Sequence, residues 1–329
     1  MTTAAPPVSD APAAAADPRK SVVRALMPRS LGGRIGLALL VLIALPCVVT
    51  LPWALQNYDA QELTAERSEA APSAAFPMGT DRLGRSLLYR CLMGGVISLG
   101  VGVSAAAIAV CIGTAWGMTA GFMGGRIDSV MMRIVDVLYG LPYILLVVLM
   151  NVAFRPFIEA ALTATMGAAV AGSIANVLTL LLAIGAVSWL TMARVVRGQA
   201  LSLANQPFVE AARCLGVPTP RILLRHVLPN LTGPIIVYAT LTVPQAILQE
   251  SFLSFLGIGI QAPVPSWGNL ASQGTEQLVT FIVAPSNMKW WLLVFPCLLL
   301  SMTLLGLNLL GDDLRDRLDP RANRGGEND

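Results

Sequence analysis

The chain has 329 residues, 55% of them hydrophobic and 12% charged, with a net charge of +3. An ordinary soluble domain is about a quarter charged, so the composition excludes one and points to an all-α membrane protein, and the small net charge excludes nucleic acid as a partner. The five cysteines (Cys47, Cys91, Cys111, Cys214, Cys297) are odd in number and scattered; Cys47, Cys111 and Cys297 lie in apolar runs and read as small core residues, not as a disulfide framework or a metal site.

Residues 1–30 read as a disordered tail, rich in alanine and proline up to Asp17 and without a cleavable signal peptide. Arg19, Lys20, Arg24, Arg29 and Arg34 precede the first apolar run and place the N-terminus in the cytoplasm. Residues 31–93 hold that span, Ile35 to Leu55, and an external loop. The span has just the ~20 apolar residues a crossing needs; Pro46 and Pro52 are expected to kink it, with Trp53 as an interfacial anchor. The external loop ends in Gly79-Thr80-Asp81-Arg82-Leu83-Gly84-Arg85.

Residues 94–311 are expected to form a core of five further spans. The second, Gly94 to Gly121, carries Gly113, Gly117 and Gly121 on one face, so another helix approaches closely there. A short internal turn, Gly124 to Asp128, leads to a third span from Val130 to Phe154, with Asp136 near its inner end, solvated or paired with Arg133. Arg155 to Asn176 fits either an external amphipathic helix or an extension of its neighbours. The fourth span is Val177 to Met192. The fifth, Gly233 to Leu256, is interrupted by Pro234 and Pro244 and holds Gln245, Gln249 and Glu250. An acid in the membrane normally faces protein or water, so Glu250 reads either as lining a path with the two glutamines or as lying near the outer surface. Gln261 to Ser286 is external, Trp290 to Leu310 is the sixth span, and residues 312–329 form a cytoplasmic tail.

The segment 194–229 organises the chain. Pro207 opens a short helix that Asn205 or Gln206 is placed to cap. Gly216 ends it, since glycine takes the left-handed conformation without strain. Thr219-Pro220 reads as a cap and first turn of a second short helix, Arg221 to Leu228, and Pro229 leads into the next span. Such a helix–glycine–helix is built to dock as a rigid knob. With six spans, sixteen of the 22 basic residues fall in segments on the side of the termini and six on the other side, which puts this loop in the cytoplasm. A seventh span over Arg155–Asn176 would strand the loop's five arginines outside.

Glu210-Ala211-Ala212, then Gly216, then Leu228-Pro229 resembles the EAA loop of ABC-importer permeases, with Arg213 and Leu215 between the motif's fixed points. The chain as a whole is similar to the C-type inner-membrane permease of oligopeptide and dipeptide importers from Leu31 to Pro320. Gly79-Thr80-Asp81 with Gly84-Arg85 matches an external element of that subunit; Ala193-Arg194-Val195-Val196-Arg197-Gly198-Gln199, Ser254-Phe255-Leu256-Gly257, Pro265-Ser266-Trp267-Gly268 and Asn308-Leu309-Leu310-Gly311-Asp312 follow in order. The resemblance implies a type I importer fold with both termini inside, in the bacterial plasma membrane. It implies a paralogous permease subunit, two ATPase subunits that carry the ATP and Mg, an extracytoplasmic solute-binding protein, and a peptide cargo; nickel or another small solute is the alternative cargo. Ser86 departs from the aspartate usual there, and the stretches after the third span and from Gln273 to Met288 look extended.

No Walker A loop surrounds Lys20 or Lys289, and no HExxH or GxSxG is present, so the chain itself is expected to hydrolyse nothing and to bind no cofactor. An ion-coupled secondary transporter is the rival from another class; it calls for intramembrane charge, for which Glu250 is the one clear candidate. A non-transporting scaffold is the third reading.

Overall fold

The computed structural model describes residues 28, 30–62, 64, 67–283 and 287–318. Most of both expected tails lies outside these. The described residues form helices α1 (Leu31–Val49), α2 (Leu51–Asn57), α3 (Leu87–Met123), α4 (Gly125–Tyr139), α5 (Tyr143–Met166), α6 (Ala168–Ala204), α7 (Pro207–Cys214), α8 (Thr219–Ile222), α9 (Leu228–Phe255), α10 (Trp267–Gly274), α11 (Glu276–Val283) and α12 (Trp291–Leu318). Six helical stretches are long and apolar enough to cross a membrane, as expected.

Two 37-residue helices, α3 and α6, are the spine. They meet along the three glycines. A Cβ on Gly117 would lie 2.3 Å from the Ala193 carbonyl oxygen, and one on Gly121 2.4 Å from that of Arg197. Only glycine permits this approach, and without a hydrophobic drive between helices in lipid such packing is what holds them. Around the seam Val101, Ala105 and Ala109 pack with Leu180, Ile184 and Leu190, and with Val147, Ala246 and Leu253 of α5 and α9. Helix α1 lies on α12: a Cβ on Gly36 would meet the Gly306 carbonyl oxygen at 2.7 Å, and Ser30 caps α1 while donating its own N–H to Asp313 at 2.8 Å. The rest of α1, including Leu42, Leu45 and Val48, is exposed, as suits a helix with lipid on most sides.

Several boundaries differ from expectation. The first span ends at Val49, and Pro52 sits in the first turn of a separate helix instead of kinking the span. The apolar run from Val130 to Phe154 is two elements. Pro142 lacks an N–H and disfavours helix at Leu141, so the chain breaks into α4, an amphipathic helix, and α5, the third span. Asp136 is solvated, as one of the two readings had it, and pairs with Arg194 at 2.8 Å, not with Arg133. Arg155–Asn176 is an extension of its neighbours: α5 runs to Met166, Gly167 turns at φ +81°, and α6 begins at Ala168. The sixth helix continues past Gly311 to Leu318. Cys47 and Cys91 are buried, but Cys111 is exposed and Cys297 half-exposed, so two of the three cysteines read as core are not.

Candidate functional site

The loop from Glu210 to Pro229 is built from its punctuation. Pro207 occupies the first turn of α7, where its missing N–H costs nothing. Gln206 takes the cap position without a side-chain bond, so the expected side-chain cap is not made. Glu210 in the first turn and Arg213 in the last complement the helix dipole. Gly216 turns the chain at φ +72°. Its N–H donates to the Arg213 carbonyl at 2.9 Å, and that of Val217 to Ala212 at 3.1 Å, closing the helix end. The second helix differs from expectation. Pro218, not Thr219, holds the cap position, and a widened turn over Leu223–Val227 joins α8 to α9 without interruption. Pro229 offers no donor to the Arg225 carbonyl, and the widened turn falls where that bond is missing.

The loop has two faces. Val209, Ala212, Ile222 and Val227 are buried against Met118 and Phe122 of α3 and Val196, Ala200 and Ala204 of α6. Arg213 lays its guanidinium over the Phe122 ring at 4.7 Å, which fastens α7 to the end of α3. On the other face Glu210, Ala211 and Gly216 are exposed with Arg221 and Arg225, and Leu215 is 82% and Leu224 62% exposed. Pro229 is exposed and Leu228 half-buried at the root. Helix α4 braces the same end. Arg197 grips Asp128 with two bonds, 2.8 and 2.5 Å, and Arg194 bonds Asp136 while stacking 4.0 Å from the Tyr139 ring. The bonds from Arg197 hold the Asp128 carboxyl below the usual carboxylate range. Sequence reasoning missed this brace. Its signal, arginines three apart facing aspartates on an amphipathic helix, was hidden by reading the helix as a span.

A cavity of about 440 Å³ lies between α4, α5, α6 and α9. Gln245 and Gln249 line it, one helical turn apart, with Tyr143, Ser188, Thr191 and Tyr238. Tyr143 donates to Gln249 Oε1 at 2.6 Å. Glu250 does not line it. One residue further on, it points to another face of α9 and is 0% exposed. Its carboxylate accepts from Ser254 at 2.7 Å and Ser98 at 2.9 Å, tying α9 to α3.

The element from Gly79 to Arg85 forms a knot at the start of α3. Gly79 and Gly84 both have positive φ, +77° and +71°. Thr80 is buried, donating to the Arg67 carbonyl at 2.5 Å and accepting from Ala70 N–H at 2.8 Å. Asp81 is the hub: its carboxylate accepts from the N–H groups of Leu83 (2.9 Å) and Arg85 (3.0 Å), from Arg85 Nε (2.8 Å) and from Arg90 Nη1 (2.6 Å). Ser86 precedes α3 without a side-chain cap bond.

The family model for the binding-protein-dependent transport system inner membrane component matches residues 113–324. The stretch holds the loop and the cavity and begins beyond the knot. The dipeptide transport system permease protein DppC of Bacillus subtilis is 45% identical over 253 residues, 77% of this chain and 71% of that protein. The oligopeptide transport system permease protein OppC of Escherichia coli is 43% identical over 285 residues, 87% of this chain and 85% of that one. The OppC of Haemophilus influenzae is 45% identical over 243 residues, 74% and 70%.

Proposed function

This chain belongs to the family of binding-protein-dependent transport system inner membrane components, and from that premise we propose that it is the plasma-membrane permease subunit of an ATP-driven peptide importer. The observation that carries the reading is the loop from Glu210 to Pro229, whose inner face is clamped to α3 and α6 while Leu215 and Leu224 stand exposed. The relatives' names, for dipeptide and oligopeptide transport, favour peptide over nickel as cargo.

In this reading the termini and the loop face the cytoplasm. Two ATPase subunits hold the ATP and Mg and dock on the loop; a paralogous permease subunit completes the path; a solute-binding protein delivers cargo from outside. Closure of the ATPases displaces the knob. Because the helix from Thr219 runs unbroken to Phe255, through Pro234 and Pro244, which were expected to interrupt it, the push reaches Gln245 over about 25 Å from Leu228. There it shifts the wall of the 440 Å³ cavity, a size suited to a small solute. Glu250, packed among serine hydroxyls, fixes the helix instead of meeting cargo.

The test is uptake of a labelled dipeptide by cells carrying the intact system. Uptake is expected to stop when the ATPase subunits are deleted and to survive a protonophore. Uptake that ignores the ATPases and collapses with the proton gradient would overturn the reading in favour of an ion-coupled transporter.

A further inference from the structure

The cavity between α4, α5, α6 and α9 has no formal charge on its wall among the described residues. Its polar side chains are neutral: Gln245 and Gln249 with Tyr143, Ser188, Thr191 and Tyr238. The charged groups that come near it are engaged elsewhere. Glu250 follows Gln249 in the chain but is buried among Ser98 and Ser254. Arg194 lies over the ring of Tyr139, a lining residue, and is neutralised by Asp136.

What the wall offers is amide chemistry, and it is within reach. Gln245 is exposed and makes no hydrogen bond among the described residues. Gln249 is half-buried; its Oε1 accepts from Tyr143 at 2.6 Å, and its Nε2 donors stay unused. A primary amide carries two donors and an acceptor, the complement of a peptide unit. Gln245 lies about 15 Å before α9 ends at Phe255, in the part of the helix that a bilayer covers. There an unbalanced charge costs more than it does in water. The two termini of a dipeptide balance one another. A charged side chain adds a third charge, and nothing on this wall balances it.

We propose that this cavity selects cargo by net charge, with Gln245 as the residue that sets the selectivity. It takes peptides whose charges balance, bonding their amides through Gln245 and Gln249, and disfavours one additional side-chain charge of either sign. The inference rests on the import reading and names which peptides that path takes.

The probes are labelled Ala-Gln, Ala-Glu and Ala-Lys, which are similar in size and respectively neutral, anionic and cationic overall. Uptake is measured in cells carrying the intact system. The binding protein is the same in every strain, so a change in the ratio of uptake rates belongs to the permease. Gln245→Glu is expected to raise Ala-Lys over Ala-Gln about five- to tenfold and to lower Ala-Glu by a similar factor; Gln245→Lys is expected to do the reverse. Thr191→Asp, which puts an acid on the cavity wall from α6, is expected to act as Gln245→Glu does, and it carries the test if that variant fails to accumulate. Wild-type Ala-Gln uptake that persists without the ATPases would overturn the import reading and this proposal with it. ATPase-dependent uptake whose ratios stay within twofold of wild type in the variants, ratios that move the same way for added acid and added base, or loss of all three cargoes in variants that accumulate and keep their ATPase, would overturn the charge selectivity alone.

Discussion

At the Asp81 end of α3, Asp59, Glu69, Asp81 and Glu276 close on Arg82, Arg85 and Arg90. At the other end, Glu210, Arg221 and Arg225 face outward with no ion pair among the described residues, beside exposed Leu215 and Leu224. Both regions are short, glycine-punctuated and arginine-bearing, and a motif search treats them alike. Their physics differs. Charges that pair inward around a buried hub lock a shape. Charges left free beside apolar surface, on a base that is itself clamped, leave a surface open to another molecule, the role we propose for this loop.

The comparison breaks most visibly at its hub. Asp81→Ala leaves the buried Arg90 guanidinium without a carboxylate and Arg85 with Asp59 alone, at a cost of about 3–5 kcal/mol, and is expected to abolish the folded chain in membranes, read as abundance and as the unfolding midpoint in detergent. The two glycine turns give the next contrast. A Cβ at Gly84 would sit 2.2 Å from the Glu62 carbonyl oxygen, whereas one at Gly216 meets nothing within 4 Å. Gly84→Ala therefore adds a clash to left-handed strain, about 2–4 kcal/mol, and Gly216→Ala the strain alone, about 1–2 kcal/mol. Equal midpoints for the two would remove the distinction between a locked and an open end.

Smaller still is the brace behind the loop. The Arg197 bonds hold the Asp128 carboxyl low. A depressed carboxylate contributes stability that is fully present above its unfolded value of about 3.9 and lost as pH falls through the lower folded value. Stability from this pair is thus expected to be flat from pH 7 to 5. Asp128→Asn is expected to cost about 1 kcal/mol, since Arg197 is partly exposed and water screens the pair; a larger loss on going from pH 7 to 5 in wild type than in Asp128→Asn would contradict it.

Much of this was legible in the residues. Six apolar runs and the Gly113, Gly117, Gly121 face follow from composition and helical spacing, and the Gly216 turn from glycine's conformational freedom. The split at Pro142 was not, because the apolar residues of α4 (Met131, Met132, Ile134, Val135) continue the hydropathy of α5 although they lie on a different kind of helix. Glu250 reads from sequence as lining a path or lying near the outer surface; sequence gives a residue's phase on its helix but not which neighbour faces it, and the serines that hold it come from α3 as well as α9. The knot's element was singled out, but Arg90 bonds Gln273, 183 positions away, and no local pattern encodes that pair.

The central claim is that the exposed face of the loop contributes to a partner and not to the fold. The direct measurement is Leu215→Asp in the affinity-tagged chain, with the ATPase co-purified from native membranes and the unfolding midpoint read on the same sample. An exposed substitution of this kind changes stability by about 0.5 kcal/mol or less. The account predicts an unchanged midpoint with the ATPase lost. An ATPase retained at wild-type stoichiometry, or lost only together with the fold, would contradict it.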